Sequence, residues 1–339
     1  MNAWLEKILP RKARRVYLDY AAATPLRGEV RAVMEPYYAE RFGNPGAIHE
    51  EGRRGRAAVE AARGRIATLL RVRPEEITFT SGGTEANNLA IFGVVSARAR
   101  SEAARAGTGL GDIHIITTAI EHSSVLTPLT QLQEQGIRVS FAPVDADGLI
   151  ILAECKKLLS PETTLVTFAY VNSEIGVVQD VRRLVRLVRD YEREYDTQIA
   201  VHLDAAQAPL WLPCAMDSLG VDLMTLDAGK CYGPKGIGVL AHRRRVPLSA
   251  QTCGGGQEDG LRSGTENVPL IVGCAEALRI AQEGYAPRAH PVGAARLFVF
   301  RTSAHDSKCC PQRLRNSPRR QQLQHFHPGH RRRIRRGYA

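Results

Sequence analysis

Short apolar runs alternate with amphipathic helical stretches from about Val16 to Glu283, and this order constrains the fold most. Buried-strand patterns occupy residues 76–81, 112–120, 138–144, 163–171, 199–206 and 221–228, and helical patterns occupy 84–100, 123–136 and 182–195. This alternation predicts an α/β fold, in which helices cover both faces of a mostly parallel sheet. Such sheets bind ligands beyond the carboxyl ends of their strands. Polar residues that directly follow strands are therefore the candidates for a site.

The excess positive charge lies at one end of the chain. The net charge is +11, yet residues 286–339 hold 13 Lys and Arg against one acidic residue, Asp306, while the rest holds 33 basic and 34 acidic residues. The segment also lacks helical or strand periodicity. A basic arm for nucleic acid or a membrane surface and an irregular domain are two interpretations. The abrupt change favours a third, a tail that is out of frame or otherwise not the native continuation. Nucleic-acid binding is not indicated, because no aromatic stacking pattern accompanies the charge.

Composition and cysteine spacing indicate a cytoplasmic protein without a membrane partner. No apolar run approaches the ~18 residues that a transmembrane helix needs, and residues 1–15 have too short an apolar core for a secretory signal. The seven cysteines form no CxxC pair and no Cys/His zinc spacing. We expect reduced thiols and no metal site.

Two glycines and a threonine follow the first predicted strand, in the sequence TSGGTEANN. Gly82 and Gly83 let backbone N–H groups approach an anion, and Thr84 opens a helix whose N-terminus carries a positive dipole. The pattern predicts a phosphate-binding turn, although it lacks the GK[ST] of a P-loop. A tight turn with a helix N-cap is the alternative interpretation.

A histidine and an aspartate follow two later strands. His122 begins a helix, where an imidazole could stack on a planar ligand, transfer protons near neutral pH, or simply cap the helix. Asp204 ends the strand at 199–206, and Gln207 follows it. A buried aspartate needs a positive partner. That partner is either the protonated pyridine nitrogen of a cofactor or the cation of a structural salt bridge.

Lys230, in GKCYGPKG, follows the last of these strands. A partly desolvated lysine has a lowered pKa and becomes a nucleophile that can form a Schiff base, whereas Lys235 looks like a turn residue. Each motif alone is a weak signal. Together, a phosphate turn, a histidine, an aspartate and a lysine after strands of one sheet form the set that pyridoxal 5′-phosphate (PLP) requires.

The chain resembles the cysteine desulfurases of the class V aminotransferase group, which are PLP enzymes of fold type I. The resemblance covers about residues 16–283. Its motifs are VYLDYAAATPL (16–26), RFGNPGAIHEEGR (41–53), ITFTSGGTEANNLAI (77–91), IEHSSVL (120–126), YVNSEIGVVQD (170–180), VHLDAAQ (201–207), GKCYGPKGIGVL (229–240) and GGGQEDGLRSGTENV (254–268). It implies a mostly parallel, seven-stranded type of sheet flanked by helices. It also implies conversion of L-cysteine to L-alanine, with the sulfur carried as a persulfide to an acceptor protein, a scaffold or thiolation enzyme, for iron–sulfur cluster assembly or tRNA thiolation.

The resemblance also implies a role for each matching residue. Lys230 would bind the cofactor aldehyde covalently, and His122 would stack on the ring and serve in acid–base steps. Asp204 would pair with the pyridine nitrogen and Gln207 would contact the phenolic oxygen. Gly83 and Thr84 would hold the phosphate, and Asn172 and Ser173 would lie near the ring. Thr265 would reach the phosphate of the neighbouring subunit, which implies a homodimer. Arg262 lies beside Thr265 in a position that also matches the family.

Three departures from the family pattern stand out. Ser173 replaces the second asparagine of the pair usual before EIG. Asp227-Ala228-Gly229 replaces the usual Ser-Gly-His before the lysine, which removes a phosphate-binding hydroxyl and an imidazole and adds a carboxylate. The nucleophilic cysteine of the family and its substrate-binding arginine lie farther beyond the lysine than this chain extends, and no family motif surrounds Cys309 and Cys310.

We therefore predict an N-terminal segment (1–15), a PLP-binding large domain (16–255), the start of an incomplete small C-terminal domain (256–285) and a basic tail (286–339). The predicted function is that of a PLP-dependent cysteine desulfurase. Because the cysteine loop of the family is missing, we expect this chain to bind the cofactor but to lack sulfur transfer. One alternative is another PLP enzyme of this fold, such as an aminotransferase or a selenocysteine lyase. The other is a degenerate, non-enzymatic binding protein of this fold.

Overall fold

Seven strands form one sheet within residues 16–106 and 113–284, the part of the chain that the computed structural model describes. The strands are β1 (Ile77–Thr80), β2 (His114–Thr118), β3 (Arg138–Ala142), β4 (Thr163–Ala169), β5 (Ala200–Asp204), β6 (Leu223–Asp227) and β7 (Gly238–His242). Their order across the sheet is β1-β7-β6-β5-β4-β2-β3. The predicted segments 1–15 and 286–339, with Cys309 and Cys310, lie outside the described residues.

Helices fill most of the connections between these strands. They are α1 (Gly28–Met34), α2 (Pro36–Ala39), α3 (Glu50–Leu70), α4 (Gly83–Ala106), α5 (Ser123–Glu134), α6 (Leu152–Leu158), α7 (Val181–Tyr195), α8 (Met216–Leu219) and α9 (Val268–Gly284). Short 3₁₀ turns occupy Pro74–Glu76, Ala228–Lys230 and Glu258–Gly260. In these two described ranges, no helix combines the length and the apolar character that a bilayer crossing needs.

The predicted α/β fold with a mostly parallel sheet is confirmed. Strands β3, β2, β4, β5 and β6 run parallel to one another, whereas β7 is antiparallel to both β6 and β1. The chain reverses at β7 because only residues 228–237 separate it from β6, too few for the crossover that a parallel neighbour requires. The register pairs Asp227 with Gly238 across this reversal.

Apolar side chains pack on both faces of the sheet and make two clusters. One cluster includes Ile66 of α3, Phe168 of β4 and Val188 of α7, and the other includes Ile91 of α4 and Leu129 of α5. Each of these side chains is buried, and burying one such side chain stabilises the fold by about 1.5–3 kcal/mol. Each face of the sheet therefore has an apolar core between its strands and the helices that cover it.

The carboxyl ends of β4, β5 and β6 lie at one edge of the sheet, where Ala169, Asp204 and Asp227 end the three strands. The turn that follows β1 leads directly into α4 at Gly83, and α5 begins at Ser123 after β2. This edge is the place where parallel α/β sheets bind ligands.

Candidate active site

A cavity of about 420 Å³ lies at this edge of the sheet. Its walls come from the ends of β4, β5 and β6, the first turns of α4 and α5, and the chain around Ala21. The cavity brings together most of the predicted site residues: Gly83, Thr84, His122, Asn172, Ser173, Asp204, Gln207 and Lys230. Two clefts elsewhere are larger, at about 570 and 550 Å³. Neither of them is lined by a lysine or a histidine from the described residues, whereas the smaller cavity has both beside carboxylates.

Lys230 ends the 3₁₀ turn that follows β6, and its side chain is half-buried in the cavity wall. The Nζ atom donates hydrogen bonds to the carbonyl oxygens of Ala21, at 2.9 Å, and Ala22, at 2.8 Å. These carbonyls belong to the segment that begins the described chain, far from the lysine in sequence. The amine can act on a ligand in the cavity once it leaves these two acceptors.

Asp204 is the last residue of β5 and is buried against the cavity. Its Oδ1 accepts a hydrogen bond from Ala206 N at 3.0 Å, and its Oδ2 accepts one from Asn87 Nδ2 at 2.8 Å. Burial raises the pKa of the carboxyl group. Among the described residues, no lysine or arginine forms a salt bridge with it, and His122 is the basic residue whose charge acts on it, lowering its pKa. A cationic ligand group would add a direct charged partner.

Glu121 and Asn87 complete the wall behind Asp204, and neither stands out in the sequence analysis. Glu121 accepts a hydrogen bond from Thr118 Oγ1, and burial, aided by the charge of Asp204, raises its pKa to about 8. Asn87 also donates to Ser124 Oγ at 2.8 Å. Within the described chain, Glu121 Oε2 and Asn87 Oδ1 are buried without a hydrogen-bond partner. Unsatisfied buried atoms beside a cavity indicate a place for a polar ligand or for water.

His122 caps α5 and lines the cavity as well. Its Nδ1 accepts a hydrogen bond from Ser124 N at 3.1 Å and lies 2.8 Å from Ser124 Oγ. The capping interpretation of this histidine is therefore correct, and it does not exclude a role toward a ligand. Stacking and proton transfer by the ring stay predictions.

Gln207 and Asn172 hold two loops of the cavity in place. Gln207 Nε2 donates to Ala21 O at 2.8 Å, the same carbonyl that accepts from Lys230. Asn172 Nδ2 donates to Ile120 O at 2.7 Å, and its Oδ1 accepts from the backbone of the next turn. Ser173 is exposed and lines the cavity without such a bond among the described residues. The asparagine therefore shapes the turn, and the serine presents its hydroxyl.

The predicted phosphate turn lies between β1 and α4, and it holds a carboxylate. The Asp227 side chain accepts hydrogen bonds from Gly83 N, at 3.0 Å, and from Gly229 N, at 2.8 Å. Close packing makes glycine necessary next to the turn, since a Cβ atom on Gly238 would lie 2.5 Å from the carbonyl carbon of Gly82. The carboxylate of Asp227 does not point away from the turn.

Several other polar residues lie apart from the cavity. Thr265 is exposed and does not line it, and Arg262 pairs with Glu85 at 2.9 Å. Lys235 Nζ donates to Thr24 O at 2.7 Å. Cys231 is buried, which raises the pKa of its thiol to about 12. This thiol is therefore protonated near neutral pH and a poor nucleophile.

The donor set fits the ring end of a pyridine aldehyde. A buried carboxylate without a lysine or arginine partner among the described residues suits a protonated ring nitrogen, and an amine in the turn after the neighbouring strand suits an aldehyde. The unsatisfied atoms of Glu121 and Asn87 lie in the same wall. The phosphate end differs, because Asp227 already accepts the hydrogen bond of Gly83.

Comparisons with known proteins agree with this geometry. The family model described as "Aminotransferase class-V" matches residues 16–291. The cysteine desulfurase IscS of Dictyoglomus turgidum is 41% identical over 268 residues, which are 79% of this chain and 64% of the relative. The chain thus spans less than two thirds of the length of this curated relative.

Two solved structures share the fold. One is titled "NIFS-LIKE PROTEIN", with a TM-score of 0.74 and 38% identity over 81% of this chain and 71% of that chain. The other is titled "SspA in complex with cysteine", with a TM-score of 0.70 and 37% identity over 78% and 72%. The family model covers well over half of the chain and the cavity lies inside the match. The chain therefore belongs to the class V aminotransferase family.

Proposed function

We propose that the protein is a PLP-dependent cysteine desulfurase, which converts L-cysteine to L-alanine and passes the sulfur on as a persulfide. The PLP dependence of the family agrees with the residues that line the cavity. The relative from Dictyoglomus turgidum is a cysteine desulfurase. A similar structure is titled as a complex with cysteine, which supports L-cysteine as the substrate here.

One observation carries the proposal: Lys230 and Asp204 line the same cavity from the ends of neighbouring parallel strands. When bound, PLP supplies an electron sink for charge that develops at the substrate α-carbon. Lys230 would bind the aldehyde and then carry a proton to and from the α-carbon. Asp204 would keep the ring nitrogen protonated, because its buried carboxylate gains a cationic partner in that state.

The remaining cavity residues would orient the cofactor. The His122 ring, fixed at the start of α5, would lie against the ring of the cofactor and exchange protons. Gln207 would contact the phenolic oxygen, with Asn172 and Ser173 near the ring. Gly83 and Thr84 would face the phosphate from the N-terminus of α4. The persulfide would form on a thiol that attacks the substrate sulfur. We assign no described residue to that role, because Cys253, the exposed cysteine among the described residues, does not line the cavity.

A homodimer is part of the proposal, with Thr265 reaching the cofactor of the partner subunit. Exposed apolar side chains near the start of the chain support it, since Phe42 and Ile48 are 73% and 91% exposed. Packing of such side chains against a partner subunit would remove their apolar area from water. We further propose a cytoplasmic enzyme whose acceptor is a scaffold for iron–sulfur clusters or a thiolation enzyme.

The test uses the purified full chain with PLP and L-cysteine. A visible absorption band and alanine release, both lost in K230A and both kept in K235A, would support the desulfurase. K235A is a matched control because Lys235 bonds a backbone carbonyl outside the cavity. A band together with faster turnover of other amino acids than of cysteine would instead indicate an aminotransferase or a lyase. No spectral change with PLP, and K230A identical to the parent, would contradict the proposal.

A further inference from the structure

The Asp227 carboxylate occupies the anion-binding turn at the start of α4. Asp227 ends β6, and one oxygen of its side chain accepts from Gly83 N while the other accepts from Gly229 N. The fit is close, since a Cβ atom on Gly83 would lie 3.3 Å from the Oδ2 atom of Asp227. The side chain also lines the cavity. The protein thus places its own anion at the helix N-terminus.

This arrangement uses up donors that a ligand phosphate would need. The first turn of a helix has free N–H groups and a positive end, both of which bind anions. Here the Gly83 amide donates to Asp227, and the Ser81 amide donates to Glu85 at 2.6 Å. A phosphate must therefore compete with carboxylates for this turn.

Charge adds to the competition. A phosphate monoester carries roughly 1.5 to 2 negative charges near neutral pH, and at this turn it would meet a carboxylate. The basic side chains among the described cavity-lining residues are Lys230 and His122, and both hydrogen bond elsewhere. Among the described residues, neither of these two forms a salt bridge with Asp227.

We propose that Asp227 is a specificity-determining residue that weakens binding of the 5′-phosphate, so that this site discriminates little between PLP and unphosphorylated pyridoxal. The proposal rests on the proposed function, because it takes a pyridine aldehyde at Lys230 as the ligand. The ring end of the cavity, with Asp204 and Gln207, is the same for both aldehydes. Of the two aldehydes, only PLP carries the phosphate that would meet the Asp227 carboxylate at this turn.

The experiment measures dissociation constants of PLP and pyridoxal for the full chain, D227S and D227N. Binding is followed by absorbance and by the yield of borohydride-stable adduct on the Lys230 peptide, so no enzyme turnover is needed. Serine keeps an acceptor for Gly229 N without a charge, and D227N keeps the shape of the side chain. D217N is the control for removal of an acidic group, because Asp217 is exposed and lies outside the cavity. Thermal melts of each variant check that it is folded.

In the parent chain, we expect dissociation constants for the two aldehydes within about tenfold of each other. In D227S, PLP should bind roughly tenfold to hundredfold more tightly, as for removal of a charge that competes for hydrogen bonds, while pyridoxal changes by less than about threefold. D227N should shift PLP in the same direction, and D217N should shift neither aldehyde. Equal changes for PLP and pyridoxal, or no change in either folded variant, would overturn the inference while the Lys230 adduct still supports the proposed function. Absence of any Lys230 adduct in every variant would overturn both.

Discussion

Replacing Glu258 with alanine should lower the free energy of unfolding by about 3–5 kcal/mol, the range for breaking a buried ion pair. Glu258 begins the 3₁₀ turn before Arg262 and Thr265, and its side chain is 2% exposed. Both of its oxygens accept from the guanidinium of Arg63 on α3, at 2.9 Å each, and one also accepts from Phe79 N at 2.8 Å. The variant would leave a buried cation and an unpaired N–H group.

The assay is urea unfolding followed by far-UV circular dichroism. E258Q keeps one oxygen that can accept from Phe79 N, but it loses the charge and one acceptor for Arg63. Because one acceptor remains, we expect a smaller loss than in E258A, roughly 1–3 kcal/mol. E60A is the matched control, because Glu60 pairs with the same arginine but its side chain is 55% exposed. It should lose less than about 1 kcal/mol.

A double-mutant cycle isolates the pair. R63A and E258A together should cost less than the sum of the single variants, with a coupling of roughly 2–3 kcal/mol. Strictly additive effects, or a loss below about 1 kcal/mol in E258A, would refute the idea that this pair holds the 254–268 segment against α3 and β1.

Three other outcomes concern pH, thiol reactivity and assembly. The pKa of Glu121 lies near 8 and exceeds its ordinary value of 4.5 because the group is buried, so the folded protein keeps a proton that the unfolded chain releases. The free energy of unfolding should therefore be highest below pH 4.5 and should fall as the pH rises through 8. E121Q should remove up to about 1.4 kcal/mol of this fall per pH unit. Urea melts at pH 5, 6.5 and 8 measure it. The exposed-site variant E134Q should keep the decline, and an unchanged slope in E121Q would refute the assignment. Iodoacetamide should modify the exposed Cys253 well before the buried Cys155, Cys214, Cys231 and Cys274, as read by peptide mass spectrometry, whereas equal labelling of Cys231 would contradict its burial. I48D should convert a dimer to a monomer in light scattering while the exposed polar variant R54Q stays dimeric, and a monomeric parent chain would contradict the proposed homodimer.

The sequence is sufficient to predict six of the seven strands, β1 to β6, because each of them is a short apolar run after a polar break. The strand predicted at 199–206 corresponds to Ala200–Asp204, and the one at 221–228 to Leu223–Asp227. The antiparallel β7 is harder to predict, since its direction depends on the shortness of the connection. The long helix Glu50–Leu70 is also absent from the sequence analysis, because its many alanines, glycines and arginines give a weak apolar stripe.

The cavity residues that follow strands were predictable for the same reason, whereas the contacts between distant segments were not. Asn87 approaches Asp204 because α4 packs beside β5. The one feature of the sequence that indicates a role for Asn87 is that a polar residue lies on the buried side of this helix. The sequence raises the question of where Asp227 points. Only the fold answers it, by bringing Gly83 and Gly229 to the same carboxylate.

We propose above that Lys230 is the residue that binds the cofactor aldehyde. The most direct measurement is borohydride reduction of the full chain with pyridoxal or PLP, followed by peptide mass spectrometry of the chain, K230R and K235R. We expect one dominant adduct on the Lys230 peptide, lost in K230R and kept in K235R. An adduct on Lys235, or equal labelling across surface lysines, would contradict it.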